Sequence, residues 1–348
     1  MRKALIFGVT GQDGSFLSEQ LLNRGYEVYG TKRRSSSNFG RSRLTNETIS
    51  NPNFHLVTND VADAHSVFTV IKDIEPDYIY NLAAQSHVGT SFLEGSSSID
   101  ITMKGCLNIL EAVRMTGGTA RVYQASSSEM FGNSGENVQD ETTPFKPCSP
   151  YAIAKVGAHN FIDMYRRAYK IHACSGILFN HESERRGFEF VTRKITRYLG
   201  HLYYHLTNDR RFCSIDKLKL GNIDSERDWG YAPDYTEAMQ LILEAKVPRD
   251  YVVATGRIYS VRDFLTFAIL QLAILASADG NLIHDAYIET SDNYKRPCDV
   301  VYLKGNAERI QSDLGWYPKH DFFDIVRIML FHDIKELGVY GPDAIQQN

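Results

Sequence analysis

The sequence predicts an α/β protein: a doubly wound parallel sheet followed by a smaller, mixed C-terminal region. Three observations carry this expectation. Apolar strand runs alternate with helical patterns through the first half of the chain; the first strand runs at once into a glycine-rich turn and a helix; and past Glu182 the alternation gives way to shorter elements separated by Gly and Pro. Length and charge agree, since 348 residues with a formal charge of -4 describe an ordinary globular chain and exclude the disordered and fibrous classes.

The first strand is Ala4 to Phe7, four apolar residues in a row. Gly8-Val-Thr-Gly11-Gln-Asp-Gly14 breaks it, and Phe16, Leu17, Leu21 and Leu22 then recur at helical spacing until Gly25. A second strand, Glu27 to Thr31, ends in the basic run Lys32-Arg33-Arg34. Further strands are expected at Phe54 to Thr58, Tyr78 to Ala83 and Arg121 to Ala125, with helices between them. Ser149-Pro150 reads as the N-cap and first residue of a helix reaching about Tyr169, and a strand from Ala173 to Phe179 follows it. Beyond come a helix near Val191 to His205 and an apolar-basic run at Lys217 to Gly221. We therefore expect residues 1–180 to form a dinucleotide-binding (Rossmann) domain, with a segment of about 221–260 returning to it, and residues 181–348 to be mainly a substrate-binding region.

The five cysteines, at 106, 148, 174, 213 and 298, are odd in number and form no CxxC pair, which argues against a disulfide framework and a zinc site; no metal is expected. No apolar run approaches the ~18 residues that cross a bilayer, and the small net charge gives no general pull toward nucleic acid, so a cytoplasmic protein without membrane or nucleic-acid partners is expected.

Glycines at 8, 11 and 14 between a strand and a helix let the backbone approach a pyrophosphate at a helix N-terminus. A preference for NAD goes with a carboxylate at the end of the second strand, gripping a ribose 2′-hydroxyl. Here Arg33 and its basic neighbours occupy that region, and guanidinium forks suit a 2′-phosphate, so NADP is the expected cofactor. Asp60 and Val61, after the third strand, are placed to meet the adenine.

Tyr151 and Lys155 lie four apart on the expected helix and hence on one face, and Ser126-Ser127-Ser128-Glu129 follows the fifth strand. A tyrosine with a pKa near ~10 becomes a base at neutral pH only beside positive charge, and an ammonium one turn away supplies it.

With these residues in view the chain resembles the extended short-chain dehydrogenases/reductases, and within them the GDP-mannose 4,6-dehydratase family. The likeness is carried by Asn81-Leu-Ala-Ala-Gln-Ser-His-Val88, Gln124-Ala-Ser-Ser-Ser-Glu129, Ser149-Pro-Tyr-Ala-Ile-Ala-Lys155 and Gly176-Ile-Leu-Phe-Asn-His-Glu-Ser183, and it continues through Arg185-Arg-Gly187, Val191-Thr-Arg-Lys-Ile195, Leu220-Gly-Asn222 and Arg227-Asp-Trp-Gly230. The resemblance implies a dehydratase in which Tyr151 deprotonates a sugar C4 hydroxyl during oxidation, Lys155 holds the nicotinamide ribose, Glu129 removes the C5 proton and assists loss of the C6 hydroxyl, and Ser127 relays protons or bonds the C4 oxygen. It extends the cofactor site to Thr10, Gln12, Asp13, Leu82, Ala83, Ala84, Gln85, Ser86, His181 and Arg186. It also implies a GDP-sugar site formed by Ser86, Asn180, Val191, Lys194, Arg227 and Arg296, and a homotetramer. Three departures stand out: Ser127 replaces a threonine, Glu184 a proline and Ser97 a tyrosine. They leave a GDP-heptose as an alternative substrate, and a non-catalytic NADP-binding module as an alternative of another class.

Overall fold

The computed structural model describes residues 1–34, 43–135, 137–207, 209–212, 215–290, 298, 300 and 302–341. The chain opens with β1 (Lys3–Phe7), α1 (Gln12–Asn23), β2 (Glu27–Lys32), α2 (Asn46–Ser50), β3 (Phe54–Thr58), α3 (Ala64–Ile74) and β4 (Tyr78–Asn81). Two short helices, α4 (Val88–Ser91) and α5 (Gly95–Ser98), and a π-helical stretch at Ile99–Lys104 lead into α6 (Gly105–Met115), β5 (Arg121–Ser127), α7 (Pro150–Tyr169) and β6 (Ala173–Leu178). Then follow β7 (Asn180–Glu182), α8 (Val191–Leu206), β8 (Leu218–Leu220), β9 (Glu226–Tyr231), α9 (Ala232–Glu244), β10 (Tyr251–Val253) and β11 (Ile258–Ser260). The described chain closes with α10 (Val261–Ala276), α11 (Gly280–Tyr287), β12 (Ile288–Thr290), β13 (Tyr302–Leu303), α12 (Glu308–Leu314) and α13 (Phe322–Tyr340).

Seven strands form one parallel sheet in the order β10-β6-β5-β4-β1-β2-β3. Both its faces are covered, which is why β1 and β6 read as apolar runs rather than alternating ones. Leu17 and Leu21 of α1 and Ala238, Met239 and Ile242 of α9 pack on one face; Val67 and Ile71 of α3, Ile109 and Leu110 of α6, and Ala158 and Ile162 of α7 pack on the other. Leu17, Leu21 and Ile242 are wholly shielded from solvent, and each contributes ~1.5–3 kcal/mol by leaving water. The strand order reverses between β1 and β4, so a crevice opens there beyond the carboxyl ends of the strands.

Local chemistry sets the helix ends. Ser149 Oγ accepts from the Ala152 amide and Pro150 occupies the first turn of α7, as the Ser-Pro pair predicts. Two capping boxes, Ser260 with Asp263 and Asp321 with Asp324, start α10 and α13. Two strand ends differ from expectation by two residues, the others by one at most. β4 stops at Asn81 rather than Ala83, because the Asn81 side chain donates to Gln124 Oε1 at 2.7 Å and accepts from the Ala83 amide at 3.3 Å, turning the chain out of the sheet. β5 runs two residues past Ala125, because Ser126 and Ser127 keep pairing with Ile177 and Leu178.

Downstream of β6 the helices α8, α10 and α13 enclose a second core around Trp229, Phe264 and Phe322. Small sheets, β11-β9-β13 with β7 alongside β9, and β12-β8, edge this core. α9 and β10 return to the large sheet, with β10 pairing to β6.

Candidate active site

Gly8, at the end of β1, has φ +87°, and a Cβ there would stand 3.0 Å from the Ala83 amide nitrogen. Gly14 is tighter: a Cβ would sit 2.5 Å from the Gly8 carbonyl oxygen and 2.6 Å from Val9 Cα. No side chain caps α1 at Gly11, so its first-turn amides keep no side-chain partner and present their partial positive charge at the crevice. This cradle fits a pyrophosphate. Gly14→Ala therefore weakens dinucleotide binding at least about tenfold and destabilises the fold by about 1–3 kcal/mol, as titration calorimetry and thermal melts read out.

Behind the loop, Asp13 and His181 join α1 to β7 across the crevice. His181 Nε2 lies 2.9 Å from Asp13 Oδ2 and its Nδ1 donates to the Phe179 carbonyl at 2.7 Å, while its ring stacks on Tyr235 at 4.8 Å. Both ring nitrogens face oxygens that only accept, an arrangement made for imidazolium. Burial opposes the charge, but the Asp13 carboxylate outweighs it and raises the His181 pKa; burial likewise opposes Asp13, whose carboxyl the histidine nonetheless holds at about 2. Gln12 donates to the His181 carbonyl at 3.1 Å and accepts from Ser183 at 2.8 Å, and Arg185 reaches Ser15 and Glu19 of α1. The linkage signs follow. The lowered Asp13 contributes stability that is present above pH ~4 and lost as pH falls toward 2, whereas the raised His181 contributes stability that is present below pH ~6.5 and lost as pH rises through its folded value. Asp13→Asn costs about 2 kcal/mol near pH 5, and the cost shrinks on the alkaline side; denaturant melts across pH check it.

An open cleft of about 460 Å³ adjoins this pair. β5 and the turn after it bring Ser127 and Glu129 to its wall, and α7 brings Tyr151 and Lys155. Lys155 is buried, donates from Nζ to the Ala125 carbonyl at 2.6 Å and sits 5.6 Å from the centre of the Tyr151 ring. Burial pushes its pKa down to about 8. The sequence led us to expect that ammonium to depress the phenol, but Tyr151 is pushed up to about 12. Burial is the main reason, reinforced by the Glu129 carboxylate, while the nearby Ser127 hydroxyl and Arg186 pull the other way. The ammonium is instead engaged with the backbone of β5.

Of the other expected residues, Asp13, Leu82, Ala84, Ser86, Asn180, His181, Arg186, Val191, Lys194 and Arg227 also line the cleft. Arg186 stacks on Phe190 at 3.6 Å, with its Nε 3.2 Å from Glu182, and Arg227 NH1 donates to the Glu226 carbonyl. Ala83 and Gln85, in the same segment after β4, do not line it, and Gln85 Oε1 is buried without a hydrogen-bond partner. Gly8, Thr10, Gly11, Gln12 and Gly14 lie beside the cleft in the turn and first residues of α1. Arg33 and Asp60 are exposed just past β2 and β3, and Val61 is buried where a Cβ on Gly105 would meet it. Arg296 lies outside the described residues, as do residues 35–42 next to Arg33. The structure adds His87, whose ring meets Phe190 edge-on at 5.6 Å, and Lys219 and Asn222 at the end of β8. Lys219 left no signal in the sequence, since a lysine on a short strand ordinarily faces solvent; only the neighbouring Leu220-Gly-Asn222 run pointed there.

The comparisons with known proteins agree with this layout. A model of the family described as GDP-mannose 4,6 dehydratase matches residues 5–329. GDP-mannose 4,6 dehydratase 1 of Arabidopsis thaliana is 45% identical over 341 residues, covering 95% of this chain and 90% of that one. The crystal structure of DesIV, a dTDP-glucose 4,6-dehydratase from Streptomyces venezuelae with NAD and TYD bound, superposes with a TM-score of 0.80 at 20% identity, covering 98% of this chain and 99% of that one. RMD from Pseudomonas aeruginosa, complexed with NADPH, gives 0.73 at 18% identity, covering 96% and 99%. At such identities the two structures speak for the fold alone.

A doubly wound sheet with a glycine turn at its switch point, and a Tyr-x-x-x-Lys helix against a serine strand end, define an extended short-chain dehydrogenase/reductase. Within that class, the match across nearly its whole length places the chain in the GDP-mannose 4,6-dehydratase family.

Proposed function

We propose that this chain is an NADP-dependent hydro-lyase that converts GDP-mannose to GDP-4-keto-6-deoxymannose by transient oxidation at C4, loss of water across C5 and C6, and reduction at C6. The observation that carries the proposal is the convergence of the Tyr151 phenol, the Lys155 ammonium and the Glu129 carboxylate on one cleft beside the glycine turn. Bound NADP would supply the hydride acceptor at C4 and the donor at C6, its pyrophosphate over Gly8, Gly11 and Gly14.

The protein's own groups divide the proton work. Tyr151 takes the C4 hydroxyl proton; held near 12 by burial, it becomes a base only when positive charge joins it, which couples its readiness to an oxidised nicotinamide in place. Ser127, beside the phenol on the cleft wall, holds the same sugar oxygen, a task its hydroxyl performs as a threonine's would. Once C4 is a ketone the C5 hydrogen is acidic, and Glu129, two residues beyond Ser127, removes it and returns a proton to the departing C6 hydroxyl. Lys155 orients the ribose from its anchor on Ala125. Asn180, Val191, Lys194 and Arg227 hold the GDP portion, with Arg296 as a further contact drawn from the family likeness; guanidinium and ammonium groups suit a diphosphate.

Residues 1–180 hold the cofactor in this reading and 181–348 mainly hold the nucleotide sugar; of the 221–260 segment expected to return to the large sheet only α9 and β10 do so, since β9 and β11 pair in the small sheet. No helix among the described residues is long and apolar enough to cross a membrane. A cytosolic homotetramer belongs to the same reading and rests on the family likeness. The choice of NADP over NAD rests on Arg33, exposed where an acidic residue would favour NAD. Arg33→Asp should raise the Kd for NADP by about tenfold or more and that for NAD by less than about twofold, measured by fluorescence titration.

Purified protein incubated with NADP and, separately, GDP-mannose, a GDP-heptose and UDP-sugars tests the activity. Mass spectrometry should find one water lost from GDP-mannose without net cofactor reduction. Preference for the heptose would move the substrate, and inertness toward all of them would favour a binding module.

A further inference from the structure

Along α7, Tyr151, Lys155 and His159 recur at every fourth residue and are all buried. The first two belong to the proposed machinery; the third does not, yet it is only 9% exposed. Its Nδ1 lies 3.1 Å from the hydroxyl of Ser126, itself 2% exposed. Ser126 stands between Ala125, whose carbonyl receives Lys155, and Ser127, which lines the cleft together with Tyr151. The planar peptides on either side tie both neighbours to Ser126, so fixing Ser126 restrains the Ala125 carbonyl and the start of Ser127. The ring of Phe145, edge-on at 5.3 Å, holds the imidazole in this pose.

We propose that His159 is a positioning residue for the dehydration, its unprotonated Nδ1 accepting a hydrogen bond from Ser126 and thereby keeping Ala125 and Ser127 in register with Lys155 and Tyr151. The inference rests on the function proposed above. A serine hydroxyl donates to a bare ring nitrogen; once the ring is protonated both nitrogens donate, and Ser126 must turn its hydrogen away. The charged groups that act on the ring are Asp163 and Arg166 on its own helix and Asp250 before β10; burial is the largest influence and, with Arg166, holds its pKa below the usual histidine value against the two carboxylates. The neutral form is therefore the resting one at neutral pH. Acid favours imidazolium and releases the strand end.

Three variants of the holoenzyme test this, each checked for folding by thermal melt. His159→Gln keeps a side-chain acceptor that does not titrate, His159→Phe fills the space without one, and Ser126→Ala removes the donor. The wild type should lose kcat on the acid side with an apparent pKa below ~6.5; the glutamine variant should stay within about threefold of wild type at pH 8 and lose that acid limb. The phenylalanine and alanine variants should lower kcat about tenfold at pH 8 while KM for GDP-mannose moves by less than about twofold. An unaltered acid limb in the glutamine variant, or full kcat in Ser126→Ala, overturns the proposal. Nitrogen NMR of the histidine rings provides a readout free of turnover: the His159 Nδ1 signal should move in Ser126→Ala. If the wild type fails to dehydrate GDP-mannose, the functional reading fails by itself, and an Nδ1 signal identical in wild type and Ser126→Ala still ends this inference.

Discussion

Tyr151→Phe should lower kcat by about three to four orders of magnitude while leaving the Kd for NADP within about threefold of wild type. The substitution removes one oxygen from a ring that is 8% exposed, so packing against Lys155 and the wall of the cleft is kept. What is lost is the group placed to receive the C4 proton. A loss confined to KM would mean that the phenol binds sugar without taking part in proton transfer. Steady-state kinetics with GDP-mannose, beside cofactor titration of the same preparation, separates these results.

The second large effect is expected at Glu129. Glu129→Gln keeps the shape and the hydrogen-bonding reach of the side chain but removes the base, and should cut overall kcat by about two to four orders of magnitude. The character of the loss is more informative than its size. Oxidation at C4 needs Tyr151 and not Glu129, so the variant should accumulate a nucleotide sugar that has lost two hydrogens but no water, detectable by mass after trapping the ketone. An epimerase or a simple dehydrogenase on this fold needs no base aimed at C5, and in such an enzyme the same variant would turn over normally.

Much of this was legible in the sequence because its signals are local. The Gly8 to Gly14 spacing follows a strand and opens a helix, and the Tyr151–Lys155 spacing is a helical repeat, so each can be read within a dozen residues. Ser149-Pro150 fixed the start of α7 to the residue. Illegible were the contacts that bring distant segments together. The Asp13–His181 pair joins residues 168 apart, and the Ser126–His159 bond joins 33. Nor could the sequence foresee that Lys155 would be held by the Ala125 carbonyl, leaving the phenol to burial; that depends on how far β5 runs before it turns. β4 ended early for a comparable reason, a side-chain bond from Asn81 to Gln124 on the neighbouring strand.

Charge patterning divided in the same way. Arg185, inside a run that drew attention as a block, in fact ties β7's flank to Ser15 and Glu19 of α1, whereas Arg186 beside it turns to Phe190 and the cleft. Adjacent residues of one type thus perform different tasks, and only their neighbours tell them apart.

The claim on which everything turns is that hydrogen removed from C4 of the sugar is the hydrogen later delivered to C6, within one cleft and on one molecule. GDP-mannose carrying deuterium at C4, incubated with the wild type and catalytic NADP, should give GDP-4-keto-6-deoxymannose with that deuterium in its C6 methyl group, read by NMR and mass. A product with its label washed into solvent or left on released cofactor, or a sugar that keeps its 6-hydroxyl, would contradict the account.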